Sequence, residues 1–386
     1  MGKILFLCDV PPVESGGGNH RLSWLSVRAY REQISQVVTR RFWRRTDLWR
    51  KEVGHPLMVV DEFSGPFCRI PGLVGEWFKH RAFARGVAKL PELPAEVDRI
   101  FAFFGADALF AQSALAAKRR WNRRLEIYLV DEPVEWCRIQ KMTVRRVLAG
   151  RLYRQVLKEA DCVWVISEGY QRLLREQMGI EARLLPIPLV GGYVPTPWCR
   201  REPSRVVHIG SVNFLYQDAL RQVLAVLGRI KRAGGVDIRL SVCTAQGEAS
   251  VRSLLGSESG DERLEVVNGL NSAEIVQHCR ESLGVLLPYS FESGPAIMVR
   301  TSFPTKTTEA MLSGRPIIVY SPAYGSVRET FEARGMGLVC GTESELEESL
   351  LRLAANPDRG LDALVGGYNS LADEFRRCRD DCFIHG

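Results

Sequence analysis

Apolar runs alternate with amphipathic segments along nearly the whole chain, and this alternation limits the fold more than any other feature. It predicts an α/β protein with mainly parallel sheets. The first series predicts strands at 3–8, 57–61, 99–104, 126–130 and 162–166 and helices at 19–32, 106–118, 140–158 and 168–178. The second series predicts strands at 205–210, 237–242, 264–267, 284–288, 316–320 and 337–339 and helices at 216–232, 247–255, 272–280, 304–313, 325–333 and 343–355.

A stretch rich in glycine and proline, residues 191–197, separates the two series and indicates a linker. We therefore expect an N-terminal domain over 1–198, a second domain over 199–364 and a last helix over 365–386 that packs back on the first domain. Each domain is long enough for one doubly wound sheet. Two such domains leave a cleft in which the carboxyl ends of both sheets can face a shared ligand.

Composition excludes several classes of protein. Apolar residues make up 46% of the 386 residues and charged residues 25%, which excludes fibrous and mostly disordered chains. No apolar run approaches the roughly 18 residues of a membrane span, and the run that ends at Asp9 is too short for a signal peptide. The ten cysteines are scattered without a C-x-x-C pair, and Cys378 and Cys382 lack a second pair at zinc spacing. We expect a cytoplasmic protein with reduced thiols and no metal site.

Positive charge is concentrated in the first half of the chain. Residues 1–200 hold 32 lysines and arginines against 21 aspartates and glutamates, whereas the remaining residues hold 20 against 24. Arginine and tryptophan stand side by side at 40–51, and further basic clusters lie at 118–124 and at Arg145 and Arg146. An anionic membrane surface, a nucleic acid or plain solvent would each suit such clusters. The excess charge indicates that the first domain faces something anionic.

A glycine-rich loop follows the first predicted strand. Gly16, Gly17 and Gly18 stand directly before the first predicted helix, and His20 lies at its start. Glycines let a backbone approach a ligand closely, and a helix N-terminus attracts phosphate. The spacing is not G-x-G-x-x-G, which disfavours a dinucleotide site. The loop is either a site for a phosphate or an acceptor, or an ordinary flexible connection.

Two carboxylates, Asp131 and Glu132, follow the strand predicted at 126–130 and precede Pro133. They stand at the edge of the sheet where the active sites of α/β proteins lie. A carboxylate there can act as a general base or orient a hydroxyl. The alternative is that Asp131 only caps a turn before Pro133.

A short helix between two apolar strands carries the most informative motif. Pro304 suits the first position of a helix and Gly314 suits its end, which predicts a helix over 304–313. Lys306 then lies in the first turn, where a cation opposes the helix dipole unless an anion binds there. Lys306 and Glu309 share one face. The pair can hold a phosphate and a ribose, or it can be a solvated ion pair.

This motif resembles one in the C-terminal domain of bacterial glycosyltransferases of the GT-B fold, the group 1 or family 4-like enzymes. The matching residues are Pro304-Thr305-Lys306, Glu309-Ala310-Met311 and Gly314-Arg315-Pro316-Ile317. Weaker similarities lie at 160–168, at 207–211 and at Asn268-Gly269-Leu270 followed by Glu274. The fold class that the resemblance implies is α/β, with two Rossmann-like doubly wound domains that face a deep interdomain cleft.

The resemblance also implies roles for residues. A nucleotide-sugar donor would lie in the second domain and an acceptor in the first, with no metal and no nucleic acid. Lys306 would contact the diphosphate and Glu309 the ribose. The other donor-binding residues would be Gly210, Ser211, Gly269, Leu270, Tyr289 and Thr305, with Gly269 and Leu270 near the base. Gly16, Gly17, Gly18 and His20 would face a phosphate or the acceptor.

The activity implied is that of a hexosyltransferase-type enzyme of polysaccharide biosynthesis. It would transfer a sugar to a hydroxyl of a lipid-linked or cell-surface glycan precursor at the inner face of the cell membrane. Its basic aromatic segments would make a peripheral contact with that membrane.

Two departures leave the stereochemistry open. Retaining members carry a second glutamate eight residues before the one matched by Glu309, where this chain has Thr301, and they carry a basic pair that residues 211–217 lack. Xanthan-type glucuronosyltransferases and teichuronic-acid-type sugar transferases resemble the chain more. In that branch an aspartate at the position of Asp131 resembles the base of an inverting reaction. The alternatives are a nucleotide-sugar epimerase of GT-B fold and a GT-B nucleotide-binding protein without transferase activity.

Overall fold

The computed structural model describes residues 2–13, 18–40, 56–60, 73–105, 107–189, 193–198, 204–257, 261–358 and 361–385. The chain forms two compact units. The first holds Met1–Pro188 and Arg377–Gly386, and the second holds Leu189–Arg376. The division after Pro188 falls ten residues before the boundary that composition suggested.

In the residues that the structure describes, the first unit is built on a seven-stranded sheet. Its strands β1 to β7 are Lys3–Cys8, Ile34–Arg40, Leu57–Val60, Val97–Phe104, Arg124–Leu129, Cys162–Val165 and Arg183–Leu184. Their spatial order is β3-β2-β1-β4-β5-β6-β7, and all neighbours are parallel. β1 is buried from Ile4 to Cys8. Such a continuous apolar run is typical of a parallel strand that helices cover on both faces.

Helices connect these strands, as parallel neighbours require. Helices α1 to α6 are Asn19–Ala29, Leu73–Ala88, Ala111–Trp121, Pro133–Ile139, Thr143–Glu159 and Glu168–Met178. The helix predicted at 140–158 corresponds to α5 alone, and the short helix α4 before it was not predicted. A break in the helical conformation separates the two helices. The break falls at Lys141, whose φ of 56° is left-handed, and the amide of Met142 donates back to the carbonyl of Cys137 at 2.8 Å. A residue in that conformation ends a helix.

The second unit repeats the plan, with six strands within its described ranges. Strands β8 to β13 are Ser204–Ile209, Ile238–Cys243, Leu264–Val267, Gly284–Pro288, Ile317–Tyr320 and Leu338–Cys340. Their order is β10-β9-β8-β11-β12-β13, again all parallel. Helices α7 to α14 are Gln217–Arg232, Glu248–Leu255, Ser272–Arg280, Ala296–Thr301, Thr307–Ser313, Ser326–Ala333, Glu343–Ala355 and Leu361–Phe383.

Each sheet has one place where the strand order reverses. In the first unit β1 lies between β2 and β4, and in the second β8 lies between β9 and β11. The connections leave these neighbouring strands in opposite directions, so their loops separate at the carboxyl edge and leave a crevice. We therefore expect a ligand site at the loops after β1, β4, β8 and β11.

The chain that enters the second unit is fixed to it by a buried arginine. Arg315 donates to the carbonyl of Thr196 at 2.8 Å and to Oδ1 of Asp358 at 2.7 Å. It also donates to the carbonyls of Ser282 and Pro357, both at 3.0 Å. Arg315 belongs to the Gly-Arg-Pro part of the motif, and its contacts show that this part secures the fold.

The residues after Arg376 return to the first unit. Arg379 is buried and donates to the carbonyl of Pro186 at 2.9 Å and to Oγ of Ser26 at 3.0 Å. The ring of Phe383 stacks on that of Tyr30 at 4.4 Å. In the part of the chain that the structure describes, no helix combines the length and the hydropathy needed to cross a membrane.

Candidate functional site

The loops after β1 and β4 meet the start of α1 at the carboxyl edge of the first sheet. Asn19 is the first residue of α1, and Gly105 directly follows β4. A Cβ on Gly105 would lie 2.7 Å from Nδ2 of Asn19, which is too close for any real side chain. Gly105 thus leaves room for the side-chain amide of Asn19, which a larger residue would displace.

Asp131 lies at this same edge, two residues after β5. Nδ2 of Asn19 donates to Oδ2 of Asp131 at 3.4 Å, and the hydroxyl of Tyr170 donates to the backbone carbonyl of Asp131 at 3.2 Å. Burial raises the pKa of Asp131, and the hydrogen bond from Asn19 lowers it in part. The carboxylate is half-buried and held by a neutral donor, which suits a group that takes up a proton.

Glu132, and not Asp131, caps the helix that begins at Pro133. Its carboxylate accepts a hydrogen bond from the amide of Glu135, and Pro133 takes the first helical position. The turn-capping alternative for Asp131 is therefore wrong, because its neighbour performs that task. Burial raises the pKa of Glu132 to about 7.

The glycine-rich loop is described only in part. Gly16 and Gly17 lie outside the described residues. Gly18 immediately precedes α1 with a φ of 50°, a conformation that favours glycine, and a Cβ there would meet open space. Nδ1 of His20 donates to the carbonyl of Pro11 at 2.8 Å, which ties the loop to α1. The first turn of α1 holds no acidic residue.

A second polar cluster stands near this edge and was not predicted from the sequence. Asp107, three residues after β4, accepts from Nε2 of His80 and from Nη2 of Arg145, each at 2.8 Å. Its other oxygen accepts from the amide of Leu109 at 3.0 Å. The three side chains come from α2, the β4–α3 loop and α5, so no local spacing in the sequence could announce them.

In the second unit, Gly210 ends β8 at the reversal of the strand order. Its φ of 128° is a glycine conformation, and its amide donates to the carbonyl of Cys243 at 2.9 Å. A Cβ on Gly210 would meet open space, and Ser211 beside it is exposed. Gln246 then fixes the loop, accepting from the amide of Val212 at 2.6 Å and donating to its carbonyl at 3.1 Å.

Aromatic rings pack against one another near the ends of β8 and β11. Tyr289 follows β11 and is buried, with its amide donating to the carbonyl of Tyr320 at 2.8 Å. Tyr216 packs edge-on against Tyr289 at 5.4 Å and lies 5.5 Å from the ring of His208. Burial lowers the pKa of His208 to about 4, so its imidazole is neutral at physiological pH.

Gly269 and Leu270 follow β10, at the outer edge of the second sheet. Gly269 is exposed with a φ of 78°. Nδ2 of Asn268 donates to the carbonyls of Thr244 and Gln246, both at 2.7 Å. This edge is two strands from the reversal at β8. Glu274 completes a capping box with Asn271, so its contacts explain it without a ligand.

Lys306 and Glu309 form an ion pair of 3.3 Å between Nζ and Oε1. The side chain of Glu309 is 1% exposed and that of Lys306 is 21% exposed. The predicted helix start at Pro304 is wrong. The amide of Thr307 bonds back to the carbonyl of Pro304 at 3.1 Å, and α11 begins only at Thr307. Lys306 is thus the N-cap residue, and Thr305 is half-buried before it.

The charge partner of Lys306 lies in the first turn of its own helix. The conflict between a cation and the helix dipole is therefore relieved by Glu309, without an added anion. The predicted helix end at Gly314 is confirmed by its φ of 67°. Within the described ranges, no three histidine, cysteine, aspartate or glutamate side chains are grouped so as to hold a metal ion.

The sequence matches no model of a known protein family and no curated protein. The structure, in contrast, resembles solved structures over its whole length. A sucrose-phosphate synthase from Thermosynechococcus elongatus matches with a TM-score of 0.69 and 15% identity, covering 100% of both chains. The apo form of the lipopolysaccharide outer core galactosyltransferase WaaB matches with a TM-score of 0.60 and 13% identity, also covering 100% of both.

A third match is a putative UDP-N-acetylglucosamine 2-epimerase from Listeria monocytogenes. Its TM-score is 0.53 at 14% identity, covering 100% of this chain and 98% of the other. Together these structures confirm the fold class that the sequence motifs predicted, an α/β protein with the two-unit GT-B plan.

Proposed function

We propose that this chain is a glycosyltransferase that moves a sugar from a nucleotide-diphosphate-sugar to a hydroxyl. The observation that carries the proposal is the match to a sucrose-phosphate synthase over 100% of both chains, at a TM-score of 0.69. Fold alone does not fix an activity. The Lys-x-x-Glu motif is the second support, because Lys306 and Glu309 match residues that resemble the donor-binding pair of GT-B glycosyltransferases.

The donor half of the proposal rests on the second unit. Lys306 keeps part of its side chain accessible, while its partner Glu309 is nearly fully buried. A departing diphosphate gains negative charge as the sugar leaves, and a nearby fixed cation stabilises that charge. We assign the diphosphate to Lys306 and the ribose to Glu309. Gly210, Ser211, Tyr289 and Thr305 would line the donor site, with Gly269 and Leu270 near the base.

The acceptor half of the proposal rests on the first unit. Asp131 would deprotonate the acceptor hydroxyl if the reaction inverts the anomeric centre, and the stereochemistry stays open. Gly16, Gly17, Gly18 and His20 would border the acceptor or a phosphate. We further propose that no metal takes part, that the sugar is a hexose, and that the acceptor is a lipid-linked or cell-surface glycan precursor at the inner face of the cell membrane.

The first test is thermal unfolding with UDP, GDP, ADP, dTDP and their common sugar conjugates. A nucleotide at about a hundred times its dissociation constant adds about 2.7 kcal/mol to the stability of the state that binds it. We expect one nucleotide family to raise the midpoint by a few degrees, with or without EDTA. A shift that EDTA removes would contradict metal independence, and no shift with any nucleotide would contradict the donor site.

Lys306→Ala should abolish that shift and lower turnover by about a hundredfold or more, since a preorganised charge at the leaving group is lost. The second unit holds one other lysine, Lys231, which pairs with Asp237 at 3.3 Å. Lys231→Ala is therefore the matched control. We expect this variant to keep the nucleotide-dependent midpoint shift and the turnover of the parent. Equal loss in both variants, or loss of folding in Lys306→Ala, would refute the assignment.

An epimerase is the second candidate, because the third structure described above carries that description. Its TM-score of 0.53 is lower than those of the two transferases. Incubation of the nucleotide-sugar without an acceptor separates the two functions. We expect no change of the sugar, whereas an isomerised sugar would favour the epimerase. Nucleotide binding without turnover on any acceptor would favour a binding protein.

A further inference from the structure

Exposed apolar side chains are concentrated at the start of helix α5. Seven large apolar side chains are strongly exposed among the described residues, and three of them fall within six consecutive positions. Met142 is 39% exposed, Val144 71% and Val147 72%. Scattered exposed apolar residues are normal, but a concentrated group marks a surface that meets something apolar.

The local fold explains why these side chains point outward. Lys141 turns the chain at the end of α4, so α5 begins with Met142 as its N-cap residue. Val144 and Val147 are three apart and share a face. The same face continues with three exposed basic residues, which are Arg151, Arg154 and Lys158. The outer face of α5 is therefore apolar at its start and basic along the rest.

The start of α5 is also electrostatically positive. Met142 offers no side-chain acceptor to the first amides, and the first turn contains no acidic residue. The partial positive charge of a helix N-terminus is then not offset by its own side chains. Exposed Arg146 adds a full charge beside it. Glu159 is the one acidic residue of α5, and it lies at the far end, where Arg119 pairs with it at 3.5 Å.

The basic cluster at 118–124 does not offer a comparable surface. Lys118 pairs with Asp161 at 2.8 Å, and Arg120 pairs with Glu92 at 2.7 Å. Trp121 is buried, with its indole nitrogen donating to the carbonyl of Pro91 at 3.2 Å. Most of the basic aromatic stretch at 40–51 lies outside the described residues.

We propose that the outer face of α5 docks on the surface of an anionic lipid bilayer. The apolar part, Met142, Val144 and Val147, enters the boundary between headgroups and acyl chains, and the basic part lies along the phosphates. A bilayer is favoured over a protein partner because the exposed basic residues Arg151, Arg154 and Lys158 continue along the same face, which matches an extended anionic surface. The inference deepens the proposed function and rests on it for its purpose, since a lipid-linked acceptor lies in such a surface.

The test is sedimentation of the full chain with lipid vesicles. We expect binding to vesicles that contain phosphatidylglycerol, weaker binding at high salt, and little binding to phosphatidylcholine alone. Val144→Asp with Val147→Asp should lower the partition coefficient by at least about tenfold, because each valine loses its transfer into an apolar phase. Binding that is equal for this variant and the parent would overturn the proposal.

A matched control uses two apolar residues of the second unit with similar exposure. Val194 is 71% exposed and Leu351 is 41% exposed. Val194→Asp with Leu351→Asp should bind vesicles as the parent does. A loss as large as that of the α5 variant would overturn the proposal, because it would show that added negative charge alone causes the effect.

The basic part of the face has its own variant. Arg151→Gln with Arg154→Gln should weaken binding by about fivefold for each charge removed. Arg31 and Lys89 are exposed residues of the same unit that lie outside α5. Arg31→Gln with Lys89→Gln serves as the control, and its vesicle binding should weaken clearly less than that of the α5 variant. Equal losses would indicate attraction by net charge and would overturn the assignment to α5.

The nucleotide-dependent thermal shift, measured on the same α5 variants, keeps the two proposals apart. An unchanged shift together with lost vesicle binding shows a folded protein and supports the docking face. A nucleotide-binding protein that never binds anionic vesicles refutes this inference and leaves the proposed function standing. Vesicle binding without any nucleotide-dependent thermal shift supports the docking face and contradicts the proposed function.

Discussion

At the scale of single residues, the carboxylate of Asp131 is subject to two opposing effects. Burial raises its pKa, and the hydrogen bond from Asn19 lowers it because that bond stabilises the charged form. Asn19→Leu should therefore raise the pKa of Asp131. If Asp131 is the base, the acidic limb of the pH profile of kcat/KM moves to higher pH, and Asn19→Ser, which keeps a donor, moves it less. An unmoved limb in Asn19→Leu would exclude Asp131 as the titrating base.

Glu132 predicts a pH dependence of stability. Its pKa rises from 4.5 to about 7 on folding, so between these values the folded state binds more protons than the unfolded state. The free energy of unfolding then falls as the pH rises through this window. Glu132→Gln keeps an acceptor for the helix cap and removes the titration. Above pH 7 the variant should be more stable than the parent by up to about 3 kcal/mol.

Chemical denaturation of the parent and of Glu132→Gln at a series of pH values measures this difference. The two curves should approach each other toward pH 4.5 and separate toward pH 8. A constant difference across the whole range would show that the carboxyl group does not titrate in the folded protein.

The candidate residues that the sequence revealed are those with local signals. Lys306 and Glu309 stand in one motif, and Asp131 directly follows an apolar strand. Asn19 lies 112 positions from Asp131, and Asp107 joins partners 27 and 38 positions away. Pairings over such distances depend on the order of strands in the sheet, which periodicity does not encode. The roles of all these residues remain predictions.

At the scale of elements, Gly314 joins helix α11 to the chain that enters the second unit. Its φ of 67° favours glycine, and a Cβ there would overlap the carbonyl oxygen of Val194. Gly256 also ends a helix, with a φ of 66°, but a Cβ there meets open space. Both alanine variants carry the backbone strain of about 1–2 kcal/mol. Gly314→Ala should lower the free energy of unfolding by about 1–3 kcal/mol more than Gly256→Ala, because the backbone at Val194 must move.

Urea denaturation of the two glycine variants measures this contrast. Because the backbone strain is common to both, the difference between them isolates the contacts with Val194 and Thr196. Equal destabilisation would mean that the segment holding Val194 shifts without cost and does not depend on Gly314.

The elements that the sequence predicted well are those with one clear pattern. Continuous apolar runs located β1, β4 and the strands of the second unit. β2, with the sequence ISQVVTR, was missed because Ser35, Gln36 and Thr39 interrupt its apolar run. Thr39 is nevertheless fully buried, since β2 lies between β1 and β3. Helix α4 was missed because Pro133 suggested a turn, while the structure uses it to start a helix.

At the scale of the whole molecule, a substitution that breaks contacts within one unit should lower the hydrogen-exchange protection of that unit alone. Arg379 is buried in the first unit, and Arg377 two positions earlier is exposed. Arg379→Met leaves the carbonyl of Pro186 and the hydroxyl of Ser26 without their charged donor, which costs about 2–5 kcal/mol. Hydrogen exchange should therefore rise in β1, β4 and β5, while β8, β9 and β11 keep the protection of the parent.

Arg377→Met, the exposed control, should leave exchange unchanged in both units. Equal loss of protection in the two sheets of Arg379→Met would contradict separate responses and would indicate one cooperative unfolding transition.

The return of Arg377–Gly386 to the first unit has a consequence for biosynthesis. The residues that cover Tyr30 and hold Pro186 are translated only after the 188 residues of Leu189–Arg376. At roughly 5–20 residues per second, the ribosome needs about 10–40 seconds for that stretch. During this interval the nascent first unit has every strand that the structure describes in it but lacks Arg379 and Phe383, so the apolar surface around Tyr30 stays open to chaperones and proteases.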